Sequence, residues 1–316
     1  MTERASNKMT QDINAQQLKE SITGLMSNFT SETTPGSSLK VPDYREHLRE
    51  GSDVYVTFLP GSNLDDTISL CKRLKDETMN PIPHFAARSI PSKEKLESML
   101  GQVTEQAGVN RALIIAGGVS DKDILGPYSN SMQLLETGLF DRFGIKTIGV
   151  AGHPEGSPDM PNSAIWDAIK WKNDFAARSD ADFHIVTQFC FEAEPIIAWD
   201  KQLTEAGNSL PVHIGLPGLA TIKTLLAFAK AAGVGPSMRF ISRQAAQVHK
   251  LLTVSDPNKQ LTGLAKHCAL NPNSNIKSVH MYPLGGLRRT AAWSYAVRAG
   301  DFSLDKQGFK LNNPIE

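Results

Sequence analysis

The sequence is poor in the features that mark several large classes of protein. Only 3 of its 316 residues are cysteine (Cys71, Cys190 and Cys268), and none stands in a CxxC or CxH arrangement. Neither a disulfide framework nor a structural zinc site is therefore expected. An excess of one charge is missing too: 33 Lys and Arg balance 33 Asp and Glu, and no basic block offers nucleic acid a footprint. The expected partner is a small molecule, with no nucleic acid and no membrane. No apolar run approaches the roughly 18 residues that a membrane span needs, and Met1 to Lys19 lacks the apolar centre of a signal peptide. A cytoplasmic protein is expected on these grounds. Nothing in the sequence sets an oligomeric state, so a homo-oligomer stays open.

What is present is a repeated alternation. Short β-type runs occur at Ser27–Thr33, Asp53–Leu59, Pro81–Ala86, Arg111–Ala116, Lys146–Ala151, Phe183–Gln188, Val212–Leu216 and Ser278–Tyr282. Several are apolar at successive positions, as suits strands covered on both faces. Helical stripes lie between them: Leu64, Ile68, Cys71 and Leu74; Leu96, Leu100 and Val103; Ile222, Leu225, Leu226 and Ala229. Eight strands alternating with helices, without a linker, predict a single (β/α)8 TIM barrel of the α/β class. Its expected extent is residues 23–304, with extra helices between Phe240 and Asn275, one of them at Gln244 to Leu252. Residues 1–22 read as a polar tail with a short helix, and residues 305–316 as a C-terminal tail.

In such a barrel the chemistry sits at the C-terminal strand ends and in the loops that follow. That rule selects Glu32 and Thr57, His84 with Arg88, Gly117 and Gly118, His153 and Glu155, Gln188 and Glu192, and Tyr282 with Gly285 and Gly286. His47, His249 and His267 fall on helices, where a solvated or packed ring is expected. Glu32 closes a run rich in hydroxyls, Phe29 to Pro35, at the barrel mouth. Partial burial there would let it hold a proton near neutral pH and deliver it to a leaving nitrogen or oxygen. The alternative is a carboxylate that caps the next turn. Gln188 carries a donor and an acceptor, the equipment for reading a heterocycle, or else an interior amide bonded to backbone. Gly285-Gly286 followed by Arg288 and Arg289 at a helix start suggests an anion site, against a pair of solvated arginines. His84, His153 and His280 raise a metal alternative, but no HxH or HExxH pattern occurs, so no metal is expected.

These residues, taken in order, resemble the methylenetetrahydrofolate reductases. Glu32-Thr33-Thr34-Pro35 is similar to that family's Glu-Phe-Phe-Pro, and Gln188-Phe189-Cys190-Phe191-Glu192 to its Gln-Phe-Phe-Phe-Asp. Pro83-His84-Phe85, His153-Pro154-Glu155 and Val279-His280-Met281-Tyr282 extend the likeness from about Asn28 to Ala299. The resemblance implies a barrel that binds FAD, NAD(P)H and a tetrahydrofolate derivative, and reduces 5,10-methylenetetrahydrofolate to 5-methyltetrahydrofolate. It makes Glu32 the general acid that protonates N10 as the five-membered ring opens. Gln188, Thr57, Tyr282 and Arg288 become substrate contacts, while His84, Gly117, Gly118, His153, Glu155, Trp171 and Lys172 fall to the cofactor. Departures from the family pattern bear on the flavin. Ala116-Gly117-Gly118 stands where the family has Arg-Gly-Asp, and Ala168 and Trp171 replace an Asn and an Arg, leaving Lys172. We therefore expect FAD to be held weakly or not at all, with Asp121 and Trp171 as candidate substitutes. Hydride would then pass directly from NAD(P)H to the folate. Methyl transfer to tetrahydrofolate on the same barrel, and a non-catalytic folate-binding barrel, stay open as other readings.

Overall fold

A computed structural model describes residues 13–59, 61–158, 160–232 and 251–315. Eight parallel strands close on themselves: β1 (Thr30–Thr33), β2 (Asp53–Val56), β3 (Asn80–Ala86), β4 (Arg111–Ile115), β5 (Thr147–Gly152), β6 (Asp182–Phe189), β7 (Val212–Pro217) and β10 (Ile276–Tyr282). They are joined in the order β1-β10-β7-β6-β5-β4-β3-β2. Two further strands, β8 (Ala220–Thr221) and β9 (Val254–Ser255), pair antiparallel at the foot of the excursion that follows β7. The predicted barrel is thus the observed one.

The strands form where the sequence supplies β-branched and aliphatic residues in succession, and their outward side chains meet the helical stripes. Ile68, Cys71 and Leu74 of helix Leu64–Asp76, and Leu96, Leu100 and Val103 of helix Lys93–Ala107, are all buried in one continuous core. Side-chain caps start these helices: Asn63 accepts from the Asp65 amide and Ser92 from the Lys95 amide. Gly108 ends the second in the left-handed conformation, with φ +59°. Among the described residues no helix is long and apolar enough to cross a membrane.

Two expectations about the ends change. The helix Ala15–Leu25 carries buried Ile22 and Leu25 against the barrel, so the N-terminal segment contributes to the core. The stretch read as a C-terminal tail begins inside a hairpin, β11 (Phe302–Asp305) with β12 (Gly308–Leu311). Phe302 and Phe309 lie 4.6 Å apart between ring centroids, and Phe309 stacks on Trp293. Two buried aromatics in a short polar segment are enough to fasten it. The expected helix at Gln244 to Leu252 lies almost wholly outside the described residues, whereas helix Asn258–Leu270 accounts for the other. His267 on that helix is packed, with Nε2 2.7 Å from Asp200 Oδ2. His47 closes a single 3₁₀ turn, Tyr44–Glu46, instead of riding a longer helix.

Candidate active site

Strand alternation decides what enters the barrel. Residues of one parity point inward, and the inner cluster of Tyr55, Ile82, Leu113 and Val186 marks that parity on four strands. Carried to the C-terminal ends, it places Glu32 on β1, Thr57 just beyond β2, His84 on β3, Gln188 on β6 and Tyr282 on β10 around one mouth. Glu32 stands in register with Tyr55, and Thr30 with His280.

Glu32 keeps only 15% of its side chain exposed. Thr57 donates its hydroxyl to Glu32 Oε2 at 3.2 Å, and His280 Nε2 lies 3.5 Å from the same oxygen. The other ring nitrogen of His280 is 2.7 Å from Thr30 Oγ1. The carboxyl group is therefore held from two strands. Thr57, expected as a pocket-lining residue, is in contact with the acid itself. His84 is buried, and both its ring nitrogens lack a hydrogen-bond partner among the described residues. Burial pulls its pKa from 6.5 to about 4, with Glu32 opposing the shift and His280 adding to it.

Gln188 sits on a register irregularity between β6 and β7. Its Oε1 accepts the Phe189 amide at 3.1 Å, so half of this amide is spent on its own backbone. The irregularity turns the carbonyls of Thr187 and Gln188 toward β7. A Cβ on Gly215 would come within 2.6 Å and 2.7 Å of them, and within 2.7 Å of the Tyr282 ring. Glycine is required there because no other residue leaves room. Tyr282 donates to the Thr187 carbonyl at 2.9 Å and meets the rings of Phe189 and His280 edge-on. Burial, then the nearby Glu32 charge, pushes its phenol well above the usual range.

The remaining expected residues lie around the rim. Gly117 adopts φ +94°, and a Cβ there would touch that of Ala86 at 3.1 Å; Gly118 faces open space. Arg88 spans this loop, donating to the Ser129 and Val119 carbonyls and pairing with Asp121 at 3.3 Å. His153 and Glu155 follow β5 in a turn closed by the Gly156 amide on the His153 carbonyl. Lys172 is buried, its ammonium 2.8 Å from the Ala151 carbonyl, and burial lowers its pKa from 10.5 to about 8. Trp171 stacks on Phe175 of its own helix, 4.9 Å between centroids. Arg288 and Arg289 are exposed in the first turn of helix Leu287–Arg298. Among the described residues no three His, Cys, Asp or Glu side chains group so as to hold a metal ion.

Four interior residues were absent from the sequence selection or left without a direction: Tyr55, His184, His213 and His280. The signal was available. Each lies two or four positions before a mouth residue or Gly215 on the same strand, and so shares its inward face.

The fold and mouth define a closed (β/α)8 barrel with an acid, an amide and hydroxyl groups gathered at its C-terminal opening. The sequence profile of the family "Methylenetetrahydrofolate reductase" matches residues 43–290, and the chain belongs to that family. It is 35% identical over 91 residues to methylenetetrahydrofolate reductase 2 of Saccharomyces cerevisiae, a stretch that is 28% of this chain and 14% of that protein. Against methylenetetrahydrofolate reductase 1 of Schizosaccharomyces pombe it is 32% identical over 114 residues, 36% of this chain and 18% of that protein. The chain thus matches less than a fifth of the length of these curated relatives. Among solved structures, an uncharacterized Clostridium thermocellum protein described as binding two copies of 5-methyl-5,6,7,8-tetrahydrofolic acid has the same fold. Its TM-score is 0.56 at 14% identity, over 89% of this chain and 99% of that one.

Proposed function

We propose that the chain reduces 5,10-methylenetetrahydrofolate to 5-methyltetrahydrofolate, taking hydride from NAD(P)H. The observation that carries this reading is Glu32, held by Thr57 and beside His280 at the mouth. An amine leaves poorly without a proton, and the iminium carbon is electrophilic only once the ring has opened. A carboxylic acid fixed from two strands supplies that proton at one place. Gln188 retains its Nε2 for the pterin edge. The folate described in the Clostridium thermocellum neighbour is in keeping with a pterin ligand in this chain.

FAD is the family's implied cofactor, and Lys172 and Trp171, the residues at the family's flavin-phosphate positions, do not fit its diphosphate. Lys172 is committed to Ala151, Trp171 to Phe175, and Arg88 to two carbonyls and Asp121. A diphosphate needs unspent donors or cations. Hydride transfer from nicotinamide to folate therefore occurs in one ternary complex.

The test is NAD(P)H oxidation by the purified chain, measured with and without methylenetetrahydrofolate. Glu32→Gln should keep folate binding and lose turnover by about 10² to 10⁴, the usual worth of a positioned acid. Wild-type turnover in that variant removes Glu32 from the mechanism. Methyltetrahydrofolate formed from a methyl donor without nicotinamide would replace reduction by methyl transfer.

A further inference from the structure

The interior of the barrel is polar well below the mouth. His184 on β6 faces inward four residues before Gln188. Its Nε2 is 2.8 Å from the Tyr55 hydroxyl. The His184 ring stacks on that of His213, with centroids 4.4 Å apart. His213 is the second residue of β7, half-buried near the floor, and its Nδ1 is buried without a partner among the described residues. At the other end of this column, Tyr55 meets His280 edge-on at 4.7 Å, and His280 reaches Glu32. The other charged groups near the column are Asp53 and Arg111, paired with each other at the starts of β2 and β4, with Asn80 also bonding Asp53. Aliphatic residues ordinarily fill the layers of such a barrel. Imidazoles and a phenol here need a reason beyond packing.

The reaction proposed above supplies one. Reduction takes up one hydride and one proton. The bond from the methylene carbon to N10 breaks, its electron pair stays on N10 and takes the proton of Glu32, and hydride forms the new C–H bond. Glu32 is left as a carboxylate, and each further turnover needs a proton from solvent. Folate and nicotinamide occupy the mouth, so the floor is the other way in.

We propose that the barrel interior is a proton path, from His213 near the floor through His184, Tyr55 and His280 to Glu32. The inference rests on the reductase reading. A neutral imidazole relays a proton by accepting it on one nitrogen and releasing one from the other. Burial keeps His213 and His84 neutral, with pKa values of about 4, and holds His184 well below the usual range. Charge therefore does not rest on these three rings. The stacked His213 and His184 rings share no hydrogen bond, and the unpartnered Nδ1 of His213 calls for a water there as well; the contact between Tyr55 and His280 is likewise ring against ring. His84 stands beside it, 6.0 Å from Tyr55, with two unpartnered nitrogens that call for a hydrogen-bonding group. Water is the smallest such group, and a water on His84 is the proposed carrier across that contact.

Tyr55→Phe removes one hydroxyl and keeps the ring, and His213→Gln removes the entry. Both are compared with wild type by stopped-flow single turnover and by steady-state NAD(P)H oxidation. The path requires a first turnover at the wild-type rate, because it acts only after Glu32 has given up its proton in the reaction proposed above, giving a burst of one product per site. The steady-state rate should then fall by on the order of a hundredfold, as for loss of a positioned proton donor. KM should hold, and added imidazole should restore part of the rate to His213→Gln. Steady-state rates unchanged in both variants, or a first turnover slowed as much as later ones, overturn the path and leave the reductase reading standing. A wild type that oxidises no NAD(P)H in the presence of methylenetetrahydrofolate overturns that reading and the path with it. If Tyr55→Phe does not fold, His213→Gln decides alone.

Discussion

Gln188 shows how one residue divides its hydrogen-bonding capacity. Its carbonyl oxygen fixes the local backbone by accepting the Phe189 amide, which orients the side chain and leaves the NH₂ end for a ligand. Gln188→Ala should therefore weaken folate binding by about 1–3 kcal/mol, since a polar edge of the pterin is left unpaired in a confined site. Nicotinamide binding should be unaffected. Calorimetric titration with each ligand separates the two, and an equal loss for both sinks the assignment to the pterin. Thr57 makes the neighbouring case: Thr57→Val keeps the shape and removes a donor from Glu32, so kcat should drop while KM holds. At this scale the sequence was legible wherever strand ends alone select a residue, as for Glu32 and Gln188. Partners remained hidden because they arise from strands distant in the chain. Thr57 joins Glu32 across 25 positions and His280 joins Thr30 across 250. Period-two counting back from Tyr282 would nonetheless have given His280 its direction.

Among the elements, helix Asn162–Ala176 turns a resemblance into a physical question. Its Lys172 lies where the family pattern implied a cofactor contact, yet the ammonium is buried against the end of β5. A lysine whose folded pKa is depressed resists protonation in the folded state, so the unfolded chain binds more protons between the two values. Stability should then rise with pH from about 8 towards 10.5, by up to about 3 kcal/mol if the whole shift is expressed. Urea unfolding at several pH values checks this, and Lys172→Met should flatten the rise while retaining most of the packing. A rise of the same size in Lys172→Met would assign it to other groups. Elements were the most legible level. Buried strands and helical stripes impose their periods on the chain, so all eight predicted barrel strands overlap observed ones. The terminal hairpin was not legible for the converse reason: Phe302 and Phe309 are isolated aromatics in polar sequence, and only their meeting with Trp293 makes them core.

For the molecule as a whole, the buried imidazoles make the barrel sensitive to acid. His84, His184 and His213 come from three strands, and all have folded pKa values below 6.5, chiefly through burial. For each of them the folded state disfavours the proton. Their contribution to stability is therefore present above the unfolded value and is lost as pH falls below about 6.5, through about 4 for His84 and His213. The fully buried His84 alone accounts for about 3 kcal/mol across that window. The three share one interior, where a first proton disfavours a second, so the protons enter mainly on unfolding and the loss is steep. Asp200 acts lower on the scale. Burial opposes its ionisation, but bonds from His267, Ser274 and the Asn275 amide outweigh burial and hold it below 3.8. Its contribution begins to fall only as pH approaches that ordinary value. Acid unfolding should thus start in the histidine range, ahead of the carboxylate. Denaturant midpoints measured from pH 7 to about pH 4 should decline throughout. In His213→Gln, which cannot take up the proton, the decline should be shallower by the share of one imidazole. A wild-type midpoint that stays level down to about pH 4.5 would show that these rings are solvated in the folded chain, and an interior open to that much water could not hold His84 and His213 in their neutral form.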